Sequence, residues 1–562
     1  MDGLAGGRRK NLNADQRGRP PAPALFVTAR VGLAICLVTL LFLAVGVAGE
    51  SMAVAAQPGN SSVPVPTVQG PIEPASQISF LGSTLFPLAP LGYEQDEYFV
   101  SGTADAYTSK APLSKSGDWH VTTATKAPYT TRIVVYRPID PSHFDGTVVV
   151  EWLNVTGGVD AGAAWLQSHD QMIRDGMVYV GVDAQAGGIN GEAGSLASGA
   201  EPGGGGLKAS DPSRYGTLNH PGDTYSYSIF QQVGNAVHAD AATMLGGLVP
   251  KHVLALGESQ SAFRLVTYID ALQPQSTGIY DAYFVYSRGG NAAALSQSPQ
   301  QTVNPPTPTY LRTDLHVPIF LFETETDILG LGYFAARQPP TNEIREWEVA
   351  GSSHDDSYGL LYSRSDTNNG AADTAAFQSM LTPSADPIPG IVTCTKPINA
   401  GSETYELRAA MEAVNRWMTT GNPPPQSPRL DVAKGEKHYV TDSLGEAVGG
   451  IRTPQVVAPV ATLSGLGQPG LLGATSQPAP TTNTLSAGQI CAIFGTTYPF
   501  SAAKLAALYP NHAAFVKKWD AATAALVKQG YLLPVDAQTL DRVAAQSDVG
   551  GTASTATTAS GG

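Results

Sequence analysis

The stretch HVLALGESQSAFRLV, residues 252–266, decides the fold. Its opening HVLAL is an unbroken apolar run, which predicts a strand buried on both faces, because a strand with one buried face would alternate. The AFRLVTYIDAL that follows predicts a helix. A serine at the turn between such elements has a strained backbone and an exposed hydroxyl. Ser259 is therefore a candidate nucleophile. A simple Gly-Ser turn is the alternative, since Ser261 stands where the motif usually has a second glycine.

Strand-like and helical runs alternate on both sides of this stretch. The strand-like runs are EYFVSGTA, TRIVVYRPI, TVVVEWLNV, MVYVGVD, HVLALG, AYFVYS, PIFLFET and REWEVAG, and the helical runs cover residues 161–175, 224–245, 261–272 and 403–420. This alternation predicts an α/β fold with a mostly parallel central sheet and helices on both faces. The first two strand-like runs contain interleaved polar residues, so we expect them to form an antiparallel edge.

Two later strand-like runs end in an acid and a histidine, the partners that a nucleophilic serine needs. VPIFLF runs into ETETD and REWEVAG runs into SSH, so Asp327 and His354 each follow the carboxyl end of a strand. The chain order serine, acid, histidine is typical of α/β-hydrolases. We predict His354 as the base and Asp327 as the acid, with Glu325 as the alternative acid. His354 could instead be a surface loop histidine, and His220 is a weaker rival because no strand precedes it.

A serine nucleophile also needs backbone N–H groups directed at the developing oxyanion. Gln260, which follows the nucleophile, supplies one of them. The second is expected from the loop after the third strand, EWLNVTGGVDA, with Val155 or Thr156 as the donor. Gly157-Gly158 gives this loop the freedom to turn its amides inward, although an ordinary turn between a strand and a helix is the alternative.

These motifs resemble a family, the bacterial and fungal α/β-hydrolase-domain proteins. The resemblance rests on GTVVVEWLNVTGGVDA, DPSRYGTLNHPGDTYSYSIF and LALGESQSAFRLVTYIDA, and covers roughly residues 90–430. FLFETETDI, WEVAGSSHDD and WMTTGNPPPQSPRL extend it in the same order. The resemblance implies an α/β-hydrolase fold and an esterase-like serine hydrolase, but no particular substrate.

Carried over by position, the resemblance also implies roles for single residues. Ser259 is similar to the family's nucleophile, His354 to its base and Asp327 to its acid. Residues of the shared blocks either line the pocket or brace it. Asn154 and Arg288 are the candidates for substrate binding, whereas Glu151 sits inside a strand and is expected to brace the fold.

Charge and hydropathy indicate where the protein acts. There are 33 Lys and Arg against 47 Asp and Glu, and no basic run follows the N-terminal segment, so we expect no nucleic-acid partner. Six Lys or Arg in the first thirty residues precede the uncharged run VGLAICLVTLLFLAVGVAG, residues 31–49. This pattern predicts an export signal. Cleavage at AVAA, residues 53–56, would release the protein, and an uncleaved run would anchor it in the membrane.

The cysteines indicate a structural bridge. Cys36 lies in the apolar run, which leaves Cys394 and Cys491 as the pair in the exported part. Neither has a CxxC or Cys/His spacing typical of a metal site, so a disulfide outranks a metal site or a catalytic thiol. Two free thiols are the alternative. We predict no metal and no organic cofactor.

Composition divides the chain into five parts. We predict a basic leader and signal or anchor at 1–56, a linker at 57–90 and an α/β-hydrolase domain at 91–430. A C-terminal extension with helices follows at 431–546, with a disordered tail at 547–562. Within the domain, residues 184–223 are expected to form a flexible cover near the pocket, with a functionless surface loop as the alternative.

The residues together predict hydrolysis of a carboxylic ester, with a small-molecule or lipid ester as substrate, through an acyl-enzyme on Ser259. Two other functions use the same scaffold. An acyltransferase would pass the acyl group to a cell-envelope alcohol, and an exported binding protein would have no catalytic activity.

Overall fold

The structure is a computed structural model that describes residues 62–73, 78, 82–191, 206–389, 391–401, 403–435, 437–469 and 490–551. The predicted leader with its apolar run 31–49 lies outside these residues. So do residues 192–205 of the predicted cover and most of the predicted tail. Among the described residues, no helix is long and apolar enough to cross a membrane.

A ten-stranded sheet forms the centre of the molecule, with the strand order β1-β2-β3-β5-β4-β6-β7-β8-β9-β10. Its strands are β1 Thr67–Gln69, β2 Tyr93–Thr108, β3 Thr122–Pro138, β4 Thr147–Trp152, β5 Val178–Val182, β6 His252–Glu258, β7 Ala282–Tyr286, β8 Ile319–Thr324, β9 Ile344–Ala350 and β10 Ile451–Arg452. β1, β2 and β3 pair antiparallel, and β3 pairs antiparallel with β5. From β5 to β10 every pairing is parallel. β11 Ala461–Ser464 and β12 Thr496–Pro499 form a separate antiparallel pair.

Helices connect the strands and cover the sheet. Those in the described residues are α1 Ala163–Asp175, α2 Ala186–Asn190, α3 Leu207–Ser210, α4 Pro212–Tyr215, α5 Ser226–Ala239, α6 Ala241–Met244, α7 Gln260–Ala271, α8 Ser357–Leu361, α9 Ala371–Leu381, α10 Thr404–Thr420, α11 Pro454–Val457, α12 Ala502–Leu508, α13 His512–Gln529 and α14 Pro534–Gln546. The predicted mostly parallel sheet with helices is thus confirmed, including its antiparallel edge.

The sheet is buried on both faces, as the unbroken apolar runs predict. In β4, Val148 and Val150 join one hydrophobic cluster, while Val149 between them joins another. Successive side chains of a strand point to opposite faces, so each strand contributes to two cores. This is why the apolar runs in these strands are unbroken instead of alternating with polar residues.

The predicted linker and C-terminal extension are both more closely integrated with the sheet than expected. Thr67–Gln69, inside the predicted linker, pairs with β2 as an edge strand. Past residue 430, Ile451–Arg452 extends the sheet beside β9. Residues on both sides of position 430 belong to one compact unit, Val54–Gly562. Backbone pairing thus continues across the expected boundaries near residues 90 and 430.

The C-terminal helices pack against the sheet domain and cover one of its faces. The Trp519 ring of α13 lies 5.5 Å from Phe377 of α9, edge to face. Tyr531 contacts Trp347 of β9 in the same geometry at 5.0 Å. Large buried aromatic pairs of this kind add stability beyond the area they bury. The helices are therefore part of the hydrophobic core on this face of the sheet.

A disulfide joins Cys394 to Cys491 across 97 residues of sequence. It ties the turn at residues 491–494 to the segment before α10. The same turn contacts the loop that follows β9, since the Ile493 carbonyl accepts from the Asp355 amide at 3.4 Å. The Phe494 carbonyl accepts from the Asn399 amide at 2.8 Å. The bridge therefore fastens C-terminal residues beside that loop.

Candidate active site

Ser259 lies at the junction of β6 and α7 in a backbone conformation that side chains rarely adopt, with φ 53° and ψ −120°. Its amide donates to the Tyr286 carbonyl of β7 at 2.9 Å, and its carbonyl accepts from the Phe263 amide at 3.1 Å. Strand and helix approach so closely that a Cβ on Gly257 would lie 2.7 Å from the Ser261 carbonyl oxygen. The turn therefore holds the Ser259 hydroxyl out at the carboxyl edge of the sheet.

Ser261 explains why the motif lacks its usual second glycine. The side chain is buried, and its hydroxyl donates to the Leu153 carbonyl of the loop after β4 at 3.1 Å. A small side chain fits between strand and helix, and its polar group has an acceptor there. The serine thus joins the nucleophile turn to the loop in which the oxyanion donors are expected.

His354 contacts both predicted partners. Its Nε2 lies 2.6 Å from Ser259 Oγ, and its Nδ1 lies 2.6 Å from Asp327 Oδ1. The other carboxylate oxygen of Asp327 accepts from the amide and the hydroxyl of Thr324, each at 2.7 Å. A carboxylate can accept only, so in the neutral imidazole Nδ1 carries the proton and Nε2 can accept from the serine. The loops after β6, β8 and β9 thus assemble a Ser-His-Asp arrangement.

Glu325, the alternative acid, does not reach the imidazole. Its carboxylate accepts from the amides of Gly351 at 2.7 Å and Gly465 at 2.9 Å. Burial raises the pKa of Glu325 to about 7 against these hydrogen bonds. The side chain therefore braces two turns. His220, the rival base, contacts the Ala184 carbonyl at 2.9 Å with its Nε2.

The turn around Gly465 also holds the histidine loop. The Thr326 hydroxyl donates to the Gly465 carbonyl at 2.6 Å and accepts from the His354 amide at 3.2 Å. Gly465 therefore connects through its carbonyl to the loop of the acid and through its amide to Glu325. The residues after β11 are thus part of the frame that fixes the imidazole.

In the loop after β4, the amides of the two proposed oxyanion donors, Thr156 and Val155, have different hydrogen-bond acceptors. The Thr156 amide donates to the side chain of Asn154 at 2.7 Å. The Val155 amide points instead at the side-chain oxygen of Gln260, at 3.5 Å. An amide with an intramolecular acceptor at ordinary distance is less available to a substrate than one with a long contact. Of the two, Val155 is better placed to act with the Gln260 amide.

Glu258, immediately before the nucleophile, is a site residue that our sequence analysis missed. Its Oε1 lies 3.3 Å from His354 Nε2, on the side where the serine binds. Its Oε2 accepts from the Asn154 amide group at 2.8 Å. Burial raises the pKa of Glu258 to about 7, although the charge of His354 opposes this. The sequence contained one signal for this role: a carboxylate at the end of the apolar run of β6.

The carboxylates around His354 affect its protonation. Burial lowers the pKa of His354, but the charge and the hydrogen bond of Asp327 raise it more, with Glu258 and Asp355 adding to the rise. The net result is a pKa of about 9. Opposite charges within a few ångströms favour the charged form of a base. The site therefore stabilises an imidazolium.

The two candidates for substrate binding have different surroundings. Asn154 lies beside Glu258 and the oxyanion loop, within the site. Arg288 is fully buried, and its guanidinium donates to the carbonyls of Gly289 at 3.1 Å and Thr309 at 2.7 Å. Both of these hydrogen bonds are to the protein backbone, and the guanidinium also lies 5.5 Å from the centre of the Tyr333 ring. In the part of the chain that is described, no group of His, Cys, Asp and Glu side chains could hold a metal ion.

Residues 68–542 match the model of a protein family described as alpha/beta hydrolase domain. A search among curated proteins finds no match. Among solved structures, a fungal esterase from Rhizomucor miehei is 13% identical, with a TM-score of 0.23 over 44% of this chain and 74% of the other. The rice cell wall degrading esterase from Xanthomonas oryzae is 12% identical, with a TM-score of 0.20 over 35% and 43%. Acetyl xylan esterase 1 from Thermoanaerobacterium is 12% identical, with a TM-score of 0.20 over 40% and 54%. The chain thus spans about half the length of the last two.

Proposed function

Because the chain belongs to the alpha/beta hydrolase domain family, we propose that it is an exported serine hydrolase that cleaves carboxylic esters through an acyl-enzyme. One observation supports the triad above all others: His354 lies 2.6 Å from the hydroxyl of Ser259 and 2.6 Å from the carboxylate of Asp327. Export rests on the basic leader and the apolar run 31–49 of the sequence.

The reaction follows from the roles of these groups. Ser259 Oγ attacks the ester carbonyl while His354 Nε2 takes its proton, and Asp327 stabilises the resulting imidazolium. The amides of Gln260 and Val155 donate to the oxyanion. The tetrahedral intermediate collapses, the alcohol leaves with the proton from Nε2, and the acyl group stays on Ser259. Water then repeats the sequence and releases the acid.

The test is turnover of a panel of aryl esters with increasing acyl length, together with labelling by a fluorophosphonate. We expect release of the aryl alcohol and one label at Ser259. No turnover and no labelling would contradict the proposal and favour a binding protein on this scaffold. A time course with a labelled ester and an added alcohol separates a hydrolase, which releases free acid, from an acyltransferase, which forms a new ester.

The pKa of His354 predicts an alkaline optimum. The base acts only when neutral, and its pKa is raised to about 9, so the active fraction grows as the pH rises toward that value. We expect kcat/KM for an aryl ester to increase from about pH 6, to reach half its maximum near pH 9 and to level off above about pH 10. Initial rates across this range measure the profile. A profile already level at pH 7 would contradict the raised pKa.

A further inference from the structure

Two side-chain oxygens, rather than one, lie close to Nε2 of His354. Ser259 Oγ lies 2.6 Å from Nε2, and Glu258 Oε1 lies 3.3 Å from the same atom. Glu258 is the last residue of β6 and is only 7% exposed, so its carboxyl competes with little water. The proton that moves between serine, histidine and leaving group therefore moves beside a second carboxylate.

The Glu258 side chain is held in this position. Its Oε2 accepts from Asn154 at 2.8 Å, and the backbone of Asn154 exchanges two hydrogen bonds with Ala161, at 2.9 and 2.8 Å. The carboxyl is thus fixed to the oxyanion loop on one side and directed at the imidazole on the other. A group held in this way acts without having to reorganise during the reaction.

We propose that Glu258 is a positioning residue that acts through His354: its carboxylate stabilises the imidazolium and holds the Nε2 proton until the leaving oxygen accepts it. This inference rests on the proposed function of the triad. When Ser259 attacks, its proton bonds to Nε2, and the new N–H lies within reach of Glu258 Oε1. When the alcohol leaves, the same proton passes from Nε2 to the alcohol oxygen. Glu258 neither gains nor loses a proton in the cycle.

The charge of Glu258 depends on the groups around it. Asp327 and Asp355, from the loops after β8 and β9, interact with it electrostatically, as do Glu151 of β4 and Tyr286 of β7. Burial and Asp327 favour its neutral form, while His354 and Asn154 favour the carboxylate. Near neutral pH both forms are populated, and only the carboxylate raises the basicity of His354.

The role brings opposite effects at low and at high pH. A stronger base removes the serine proton faster once it is neutral, but a larger share of it is already protonated at lower pH. Removing the negative charge of Glu258 should therefore raise kcat/KM on the acid side of the inflection and lower it on the alkaline side. A residue that only supports the fold would lower the rate at every pH.

The experiment compares Glu258→Gln, nearly the same shape without the charge, with the wild type over the full pH range. We measure kcat/KM for an aryl ester and the rate of reaction with a fluorophosphonate. The inflection should move down by about one pH unit, since the opposite charge is lost. The alkaline plateau should fall about threefold, because the base is weaker. The two profiles should therefore cross, with the variant faster between about pH 7 and the crossing, because Glu258 of the wild type is itself protonated at lower pH.

Glu325→Gln is the matched control, because Glu325 is also buried with a pKa raised to about 7 but contacts turns instead of the imidazole. Its inflection should stay where the wild type has it. The proposal is overturned if folded Glu258→Gln keeps the wild-type inflection, or if its rate falls by one factor at all pH values. If the wild type itself reacts with neither reagent, the proposed function fails instead.

An NMR titration of the His354 ring in Ser259→Ala covers the case in which Glu258→Gln does not fold. In this variant the serine hydroxyl is gone, and the carboxyl group of Glu258 remains close to Nε2. The Nε2 resonance should show a second inflection near pH 7, where Glu258 gains its proton. A single inflection near pH 9 would overturn the proposal.

Discussion

Ser259→Ala should abolish ester hydrolysis and covalent labelling, with kcat lower by about a millionfold. The variant keeps the turn but loses the oxygen that attacks, so binding and the oxyanion amides alone remain. The measurement is kcat on the best aryl ester, with mass spectrometry of the protein after exposure to a fluorophosphonate. Alanine can adopt the strained backbone conformation of Ser259 at the same cost as serine, so we expect the variant to fold.

Ser261→Ala is the matched control for this prediction. The two serines are neighbours at the same turn, but the Ser261 hydroxyl is buried and donates to the Leu153 carbonyl. Removing it should cost about 1 kcal/mol of stability and leave the label on Ser259. If Ser259→Ala were still labelled and Ser261→Ala were not, the assignment of the nucleophile would be wrong.

Asp327→Asn should lower kcat by about ten thousandfold. Thr324 donates twice to one carboxylate oxygen of Asp327, so the carbonyl of an asparagine would turn toward these donors. Its NH₂ group would then face His354 Nδ1 and favour the tautomer with the proton on Nε2. In that tautomer the imidazole cannot accept the proton of Ser259. Steady-state kinetics at the pH optimum measure the loss, and thermal unfolding checks the fold.

Glu325→Gln tests the competing assignment of the acid. Since Glu325 contacts the Gly351 and Gly465 amides, the change should lower the unfolding temperature more clearly than it lowers kcat. Its effect on kcat should be far below that of Asp327→Asn. A loss of rate in Glu325→Gln that equals the loss in Asp327→Asn would leave the choice of acid open to revision.

The arrangement of Ser259, Asp327 and His354 was predictable because it depends on strand ends. Parallel strands bring their carboxyl ends to one edge, so residues far apart in sequence meet there. The contacts of single side chains were not predictable in this way. Asn154 determines that Thr156 donates internally and also fixes Glu258. A turn motif specifies the path of the backbone, but not the neighbour to which a polar side chain will hydrogen-bond.

The family resemblance and the α/β-hydrolase fold that it implied are confirmed, but the margins of the sheet were not foreseen. β1 has three residues and β10 has two, which is too short for a hydrophobic period to show. Helices were predicted in the C-terminal extension, yet nothing in their sequence indicates which surface they cover. The helix predicted over residues 403–420 does end before Gly421, but the sheet gains a further strand beyond it.

The bracing of the histidine loop by Gly465 and Ile493 has a consequence for biosynthesis. A ribosome makes Ser259, Asp327 and His354 well before it reaches the residues that fix their loops. The nascent chain therefore carries all three reacting groups while the frame around them is still incomplete. Only when the C-terminal segment has folded back does the turn at Gly465 bind Glu325 and Thr326. The frame around the imidazole is therefore complete only after the residues up to Phe494 have been synthesised.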